Sequence, residues 1–146
     1  MERIWGSDRL RTFFGKNLPP GKHIGESWEL SDLPQGQSVM ENGPAAGRVF
    51  RVFLDQYGQE FGFTKEQCTP PFGLLIKLLD ANQVLSVQVH PDATACRKYP
   101  GARLKTECWY VLQAEPDAVI YKGLKKNILK NDVRQALQNG NLADLM

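Results

Sequence analysis

Leu85-Ser86-Val87-Gln88-Val89-His90-Pro91-Asp92 and, a short way downstream, Lys105-Thr106-Glu107-Cys108-Trp109-Tyr110-Val111-Leu112 both read as β-strands. In the first, Val87 and Val89 alternate with Ser86, Gln88 and His90. Successive strand side chains point to opposite faces, so the three polar groups share one face. In the second, Glu107 leads into Trp109-Tyr110-Val111-Leu112, a run rich in β-formers, which places a carboxylate at a strand entrance. An amide oxygen, an imidazole and a carboxylate make a candidate metal set of Gln88, His90 and Glu107. Without thiols, these donors suit zinc with an open position, or else manganese or iron. A single Q-x-H on a strand is more often a hydrogen-bonded pair than two ligands, and Gln88 and His90 fit that reading too. His90 and Asp92 also match the H-x-D half of a non-haem iron triad, which needs a later histidine that the chain does not contain.

Upstream, Gly73 to Asp80 is a near-continuous apolar run broken by Lys77, as in a strand buried on both faces. A lysine there needs a counter-charge or a functional reason, or else it snorkels to an edge. Ala81-Asn82-Gln83 turns the chain, so this strand is expected to pair with 85–92 as a hairpin. Ile24 to Leu30 alternates as a strand with Glu26 and Trp28 on one face, and His23 before it reads as a surface residue. Ser7 is expected to cap a helix over Asp8 to Phe14, with Leu10, Phe13 and Phe14 on its apolar side and Gly15 as its stop. Ser31 to Gln37 reads as a loop and Ser38-Val39-Met40 as a short strand. A helix is expected from about Ala45 to the stop at Gly58, with Val49, Val52, Phe53 and Tyr57 inward. Cys68-Thr69-Pro70-Pro71 forbids regular structure.

Downstream, Ala93 to Lys98 fits one helical turn and Ala118-Val119-Ile120-Tyr121 a further strand. A final helix is capped by Asn131 or Asp132 and stopped by Gly140, with Val133, Ala136 and Leu137 inward, and another begins at Asn141. Strands separated by Gly and Pro turns, with helices mostly early and late, predict a mainly β chain: an antiparallel sandwich or jelly roll with peripheral helices.

At 146 residues the chain fits one domain, and 42% apolar with 23% charged residues is ordinary for a globular protein. A net charge of +2, with only Lys125-Lys126 and Lys130 clustered, gives no footprint for nucleic acid. Cys68, Cys96 and Cys108 are odd in number and lack C-x-x-C spacing, which argues against a disulfide framework and points to a reducing cytoplasm. The N-terminus lacks a signal-peptide core, and no run approaches a membrane span, so no membrane partner is expected.

The motifs I-G-E-S-W-E-L-S-D at 24–32, L-L-I-K-L-L-D-A at 74–81, L-S-V-Q-V-H-P-D at 85–92 and K-T-E-C-W-Y-V-L at 105–112 together resemble type I mannose-6-phosphate isomerases, in the same order. Ile4-Trp5-Gly6 and Asn42-Gly43-Pro44 extend the resemblance over essentially the whole chain, most like the short bacterial branch. It implies a cupin jelly roll, of which residues 1–146 form a single, incomplete domain. It implies zinc-dependent interconversion of mannose 6-phosphate and fructose 6-phosphate, with one zinc on Gln88, His90 and Glu107. Ser86, Lys77 and Lys105 would line the substrate pocket, with Trp5 and Glu26 in its wall. A fourth ligand, a histidine, and a catalytic arginine would lie beyond Met146, which leaves the general base unassigned. Two further expectations follow: self-association through an open sheet edge, and, as the alternative function, a non-catalytic cupin module that binds sugar phosphate.

Overall fold

The computed structural model describes all residues from Met1 to Met146. Its contacts divide the chain into two compact units, Met1–Leu85 and Ser86–Met146.

The first unit is organised on a two-stranded antiparallel sheet of β2 (Glu26–Leu30) and β3 (Ile76–Leu79). Glu26 faces Leu79, Ser27 faces Leu78 and Trp28 faces Lys77, and an irregularity follows before Leu30 faces Ile76. Residues directly opposite one another share a face, as do residues i and i+2, so Glu26, Trp28 and Lys77 project to the same side. The hairpin expected between 73–80 and 85–92 does not form. β3 takes its hydrogen bonds from β2 instead, and it is not buried on both faces, since Ile76 is exposed.

β1 (Glu2–Ser7), which the sequence patterning did not suggest, runs beside the entrance to β2, where Arg3 N–H donates to His23 O at 2.9 Å and Gly25 N–H to Met1 O at 3.1 Å. Gly25 is required by this approach: a Cβ there would lie 2.5 Å from the Trp5 ring. The helix α1 (Arg9–Phe14) ends at Gly15 in the left-handed conformation (φ 65°), as expected. Its cap differs from the expected one. Ser7 does not serve as the N-cap residue; its hydroxyl donates to Asp80 Oδ2 at 2.7 Å, and the same oxygen accepts from Arg9 N–H at 2.9 Å. A buried carboxylate from the end of β3 thus satisfies the free N–H at the start of the helix. Leu10 is buried, whereas Phe13 and Phe14 are exposed and pack edge to face on each other, with centroids 4.9 Å apart.

The hydrophobic core of this unit is built on α2 (Phe50–Tyr57), which starts later than its expected Ala45 and turns Phe50, Phe53 and Leu54 inward. Val49 is the residue before the helix and Val52 is exposed, so the inward stripe is i, i+3, i+4 from Phe50. Ala45 joins these residues, with Leu30, Met40, Tyr57, Phe63 and Phe72 around them. Val39 forms one bridge to Val49 in place of the short strand expected at Ser38–Met40. A short helix, α3 (Lys65–Cys68), carries a capping box between Thr64 and Gln67, directly before a cis Pro70–Pro71 peptide.

In the second unit no strand ladder forms. Residues 85–92, 105–112 and 118–121, all expected as strands, carry no ladder hydrogen bonds, so the strand pairing is limited to one small antiparallel sheet, with several helices. A strand is stable only against a partner, and no neighbouring strand pairs with these segments. The helices form where expected, but the last begins earlier, after Leu129, so Asn131 and Asp132 lie inside its first turn rather than at its N-cap, and Leu137 is exposed rather than inward. α4 (Ala93–Lys98) is capped by Asp92, whose Oδ1 accepts from Ala95 N–H at 2.7 Å. α5 (Lys130–Asn139) closes on left-handed Gly140 (φ 73°), and Asp132 Oδ2 accepts from Leu129 N–H at 2.8 Å. Ala136 is its buried residue, Leu137 points to solvent, and a 3-10 turn over Leu142–Leu145 follows.

Candidate functional site

Each unit holds one charged cluster built around a glutamate. In the second unit, His90 Nε2 lies 2.8 Å from Glu107 Oε2, and Lys105 Nζ donates to the same oxygen at 3.2 Å. The side chains of His90 and Glu107 are partly exposed, 31% and 21%. Burial pushes the Glu107 carboxyl up, but hydrogen bonds from His90 and Lys105, the Lys105 charge and Trp109 together hold it below its ordinary value. Glu107 is therefore a carboxylate near neutral pH, and the His90–Glu107 bond requires the proton on Nε2, with Nε2–H as donor.

The structure thus brings together His90, Glu107 and Lys105 of the sequence-predicted set. Gln88 is exposed and is not among the partners of this pair, because the strand that would have set it beside His90 is absent. Ser86 is likewise exposed. An imidazole nitrogen and a carboxylate oxygen facing each other, both reachable from solvent, are donors that a divalent cation takes. Coordination here would need Nε2 to give up the proton it shares with Glu107, and no group of three or more His, Cys, Asp or Glu side chains converges anywhere in the chain, so the pair offers two of the three protein ligands that catalytic zinc sites usually hold.

In the first unit, Glu26 is buried on β2. Arg3 Nε donates to its Oε1 at 3.0 Å, Trp28 Nε1 donates to Oε2 at 2.9 Å, and Lys77 Nζ stands 3.8 Å from Oε2. Lys77 therefore has the counter-charge that its place in an apolar strand demands. Burial pushes the Glu26 carboxyl up, and the Trp28 and Arg3 hydrogen bonds with the Lys77 and Arg3 charges more than offset this, so it is lowered overall. Trp5 is buried beside Gly25. Arg3 escaped the sequence reading of this cluster, and Trp28 was read only as sharing a strand face with Glu26, although a further signal was present. Glu26-Ser27-Trp28 and Glu107-Cys108-Trp109 share the pattern E-x-W, and in both the indole two residues on acts on the carboxylate.

His23 is a surface residue as expected, with its Nδ1–H donating to Gly6 O at 3.0 Å. It lines a concavity of about 290 Å³ with Ser7, Asp8, Gly21 and Lys22, none of which belongs to either glutamate cluster.

The fold neighbour points to a class. A crystal structure of mannose 6-phosphate isomerase from Bacillus subtilis matches 99% of this chain and 45% of its own, with a TM-score of 0.75 and 30% sequence identity. The class is that of sugar-phosphate isomerase catalytic domains. The family model for the type I phosphomannose isomerase catalytic domain matches residues 1–114, and the chain belongs to that family. Among curated relatives, the probable mannose-6-phosphate isomerase GmuF of Bacillus subtilis is 38% identical over 146 residues, covering 99% of this chain and 45% of the relative. The mannose-6-phosphate isomerase of Streptococcus mutans is 39% identical over 145 residues, 99% of this chain and 44% of its own length. The chain therefore spans less than half the length of these relatives.

Proposed function

We propose that this chain carries the metal- and sugar-phosphate-handling part of a mannose-6-phosphate isomerase, acting in the interconversion of mannose 6-phosphate and fructose 6-phosphate. Residues 1–146 would belong to one cupin-type jelly-roll domain, and the unpaired cysteines suit a cytoplasmic location. The observation that carries this reading is the His90–Glu107 pair with Lys105 on the same carboxylate oxygen. His90 and Glu107 would hold zinc, with Gln88 as a third and weaker donor. When bound, the metal supplies Lewis-acid stabilisation of negative charge on a sugar oxygen.

The remaining work falls to the chain. Aldose–ketose isomerisation moves a proton between neighbouring carbons through an enediol bearing charge on oxygen, and fixed cations lower the cost of that charge. Lys105 holds Glu107 ionised and has donors left for a sugar hydroxyl. Lys77 is one of two cations, with Arg3, against the single Glu26 carboxylate, so the cluster keeps a net positive charge suited to a phosphate dianion. Ser86 offers a hydroxyl, and Trp5 and Glu26 shape the wall of the Lys77 cluster.

A second reading, a sugar-phosphate-binding module without turnover, is favoured by a donor pair limited to one imidazole and one carboxylate, since catalytic zinc sites usually hold three protein ligands. Calorimetric binding of mannose 6-phosphate with zinc present, run beside a turnover assay, tests both. We expect binding with little or no turnover by the chain alone, and turnover when it is joined to the remaining part of a relative. Failure to bind mannose 6-phosphate would contradict both readings.

A further inference from the structure

Lys77 faces its counter-charge without bonding to it. Its side chain is 22% exposed, and Nζ stands 3.8 Å from Glu26 Oε2, an ion pair too long for a hydrogen bond. The other glutamate cluster differs. There Lys105 Nζ closes to 3.2 Å on Glu107 Oε2, although His90 already occupies that oxygen. A carboxylate oxygen can therefore take two donors, and the gap at Glu26 has another cause.

Two groups supply it. Arg3 Nε donates to Glu26 Oε1 at 3.0 Å, so a full positive charge already neutralises the carboxylate, and Trp28 Nε1 donates to Oε2 at 2.9 Å. The register sets the indole beside both partners, since Trp28 stands directly opposite Lys77 and two residues after Glu26 on the same face. The ring is also seated. A Cβ on Gly36 would lie 3.1 Å from Trp28 Cε3 and 3.3 Å from Cζ3, and the φ of Gly36 is not left-handed. Glycine there makes room for the indole rather than for a turn.

We propose that Trp28 is a positioning residue for phosphate binding: its indole N–H, together with Arg3, occupies Glu26, so that Lys77 keeps the charge contact and leaves its three N–H donors for an oxyanion. The inference rests on the reading of Lys77 as a phosphate-facing lysine. Without the indole N–H, Oε2 takes Lys77 as its donor, and the hydrogen bond that a phosphate oxygen would accept goes to Glu26 instead.

Calorimetry of the full chain with inorganic phosphate, and separately with mannose 6-phosphate, on the parent, Trp28→Phe, Lys77→Met and the double variant tests this. Trp28→Phe should weaken both ligands by roughly tenfold, the scale of one charge-assisted hydrogen bond. The double variant should bind within about twofold of Lys77→Met, because Trp28 acts through Lys77. The inference is overturned if Trp28→Phe binds phosphate as the parent does. It is equally overturned if Trp28→Phe weakens binding by the same factor in the Lys77→Met background, as a merely structural role would. Should Trp28→Phe fail to fold, β-(3-benzothienyl)alanine at position 28, which keeps the bicyclic shape and puts sulfur in place of the N–H, is held to the same outcomes. Parent-like binding by Lys77→Met would overturn the phosphate reading of Lys77 and the inference together, whereas a loss in Lys77→Met with none in Trp28→Phe overturns the inference alone.

Discussion

Replacing Asp32 by alanine removes a carboxylate on which the first unit converges. Its side chain is 1% exposed; Oδ2 accepts from Arg51 Nη1 at 2.8 Å and from Phe72 N–H at 2.8 Å, and Oδ1 accepts from Gln37 Nε2 at 3.5 Å. Arg51 is 14% exposed, and its Nε lies 3.1 Å from Asp55 Oδ1 without the alignment of a hydrogen bond, so Asp55 is a poor substitute partner. Removing one member of a buried pair costs about 3–5 kcal/mol because the other charge stays buried, and an unsatisfied Phe72 N–H alone is worth about 1–3 kcal/mol. Partial exposure of Arg51 favours the lower end, about 3 kcal/mol, from a total that is typically ~5–15 kcal/mol. With a urea slope of about 1–3 kcal/mol per molar, the unfolding midpoint should fall by roughly 1–3 M. Asp32→Leu with Arg51→Met, which removes both charges, should cost less than Asp32→Ala alone. A single-variant loss under about 1 kcal/mol, or a double variant costing as much as the two single variants summed, would refute the assignment of Asp32 as a buried, multiply bonded anion.

Three further outcomes are expected. Glu26 has a folded-state pKa below its ordinary 4.5, so its contribution to stability is fully present above that value and is lost as pH falls below it toward the folded value. Glu26→Gln should remove that part of the acid limb in urea titrations at graded pH, and parallel acid limbs for parent and variant would contradict it. Gly25→Ala drives a Cβ into Trp5 and Arg3. It should lower stability by about 1–3 kcal/mol in thermal unfolding, whereas an unchanged midpoint would show that the strands there can part freely. Lys77→Glu and Lys105→Glu should each weaken mannose 6-phosphate binding in calorimetry, and variants that fold and bind as the parent does would show that neither lysine serves the substrate.

Local signals in the sequence carried as far as local chemistry reaches. Gly15 and Gly140 stop their helices in the left-handed conformation, the turn expected at Ala93–Lys98 forms as α4, and the alternation around Glu26 makes β2. Pairing was not legible, because a strand's partner is set by the whole fold. β3 pairs with β2 across nearly fifty residues of chain rather than with the adjacent 85–92 segment. The expected strands at 105–112 and 118–121 have the right residues and no partner, so propensity alone misled. Burial of acids was also hidden. Asp32 and Asp80 look like loop and turn residues, yet each is buried where distant N–H groups need an acceptor. At the candidate site, residue type and order singled out His90 and Glu107, which the structure sets 2.8 Å apart, whereas Gln88 was placed by a strand face that the structure lacks.

Zinc titration of the chain by calorimetry, with His90→Ala, Glu107→Gln and His23→Ala beside the parent, tests most directly whether the His90–Glu107 pair holds the metal. The parent should bind one zinc. His90→Ala and Glu107→Gln should each weaken binding by roughly tenfold or more, since even residues that only orient a ligand are worth about 10–100-fold in metal affinity. His23→Ala, on the other unit, should leave it unchanged. Equal zinc affinity in the parent, His90→Ala and Glu107→Gln would contradict the metal site.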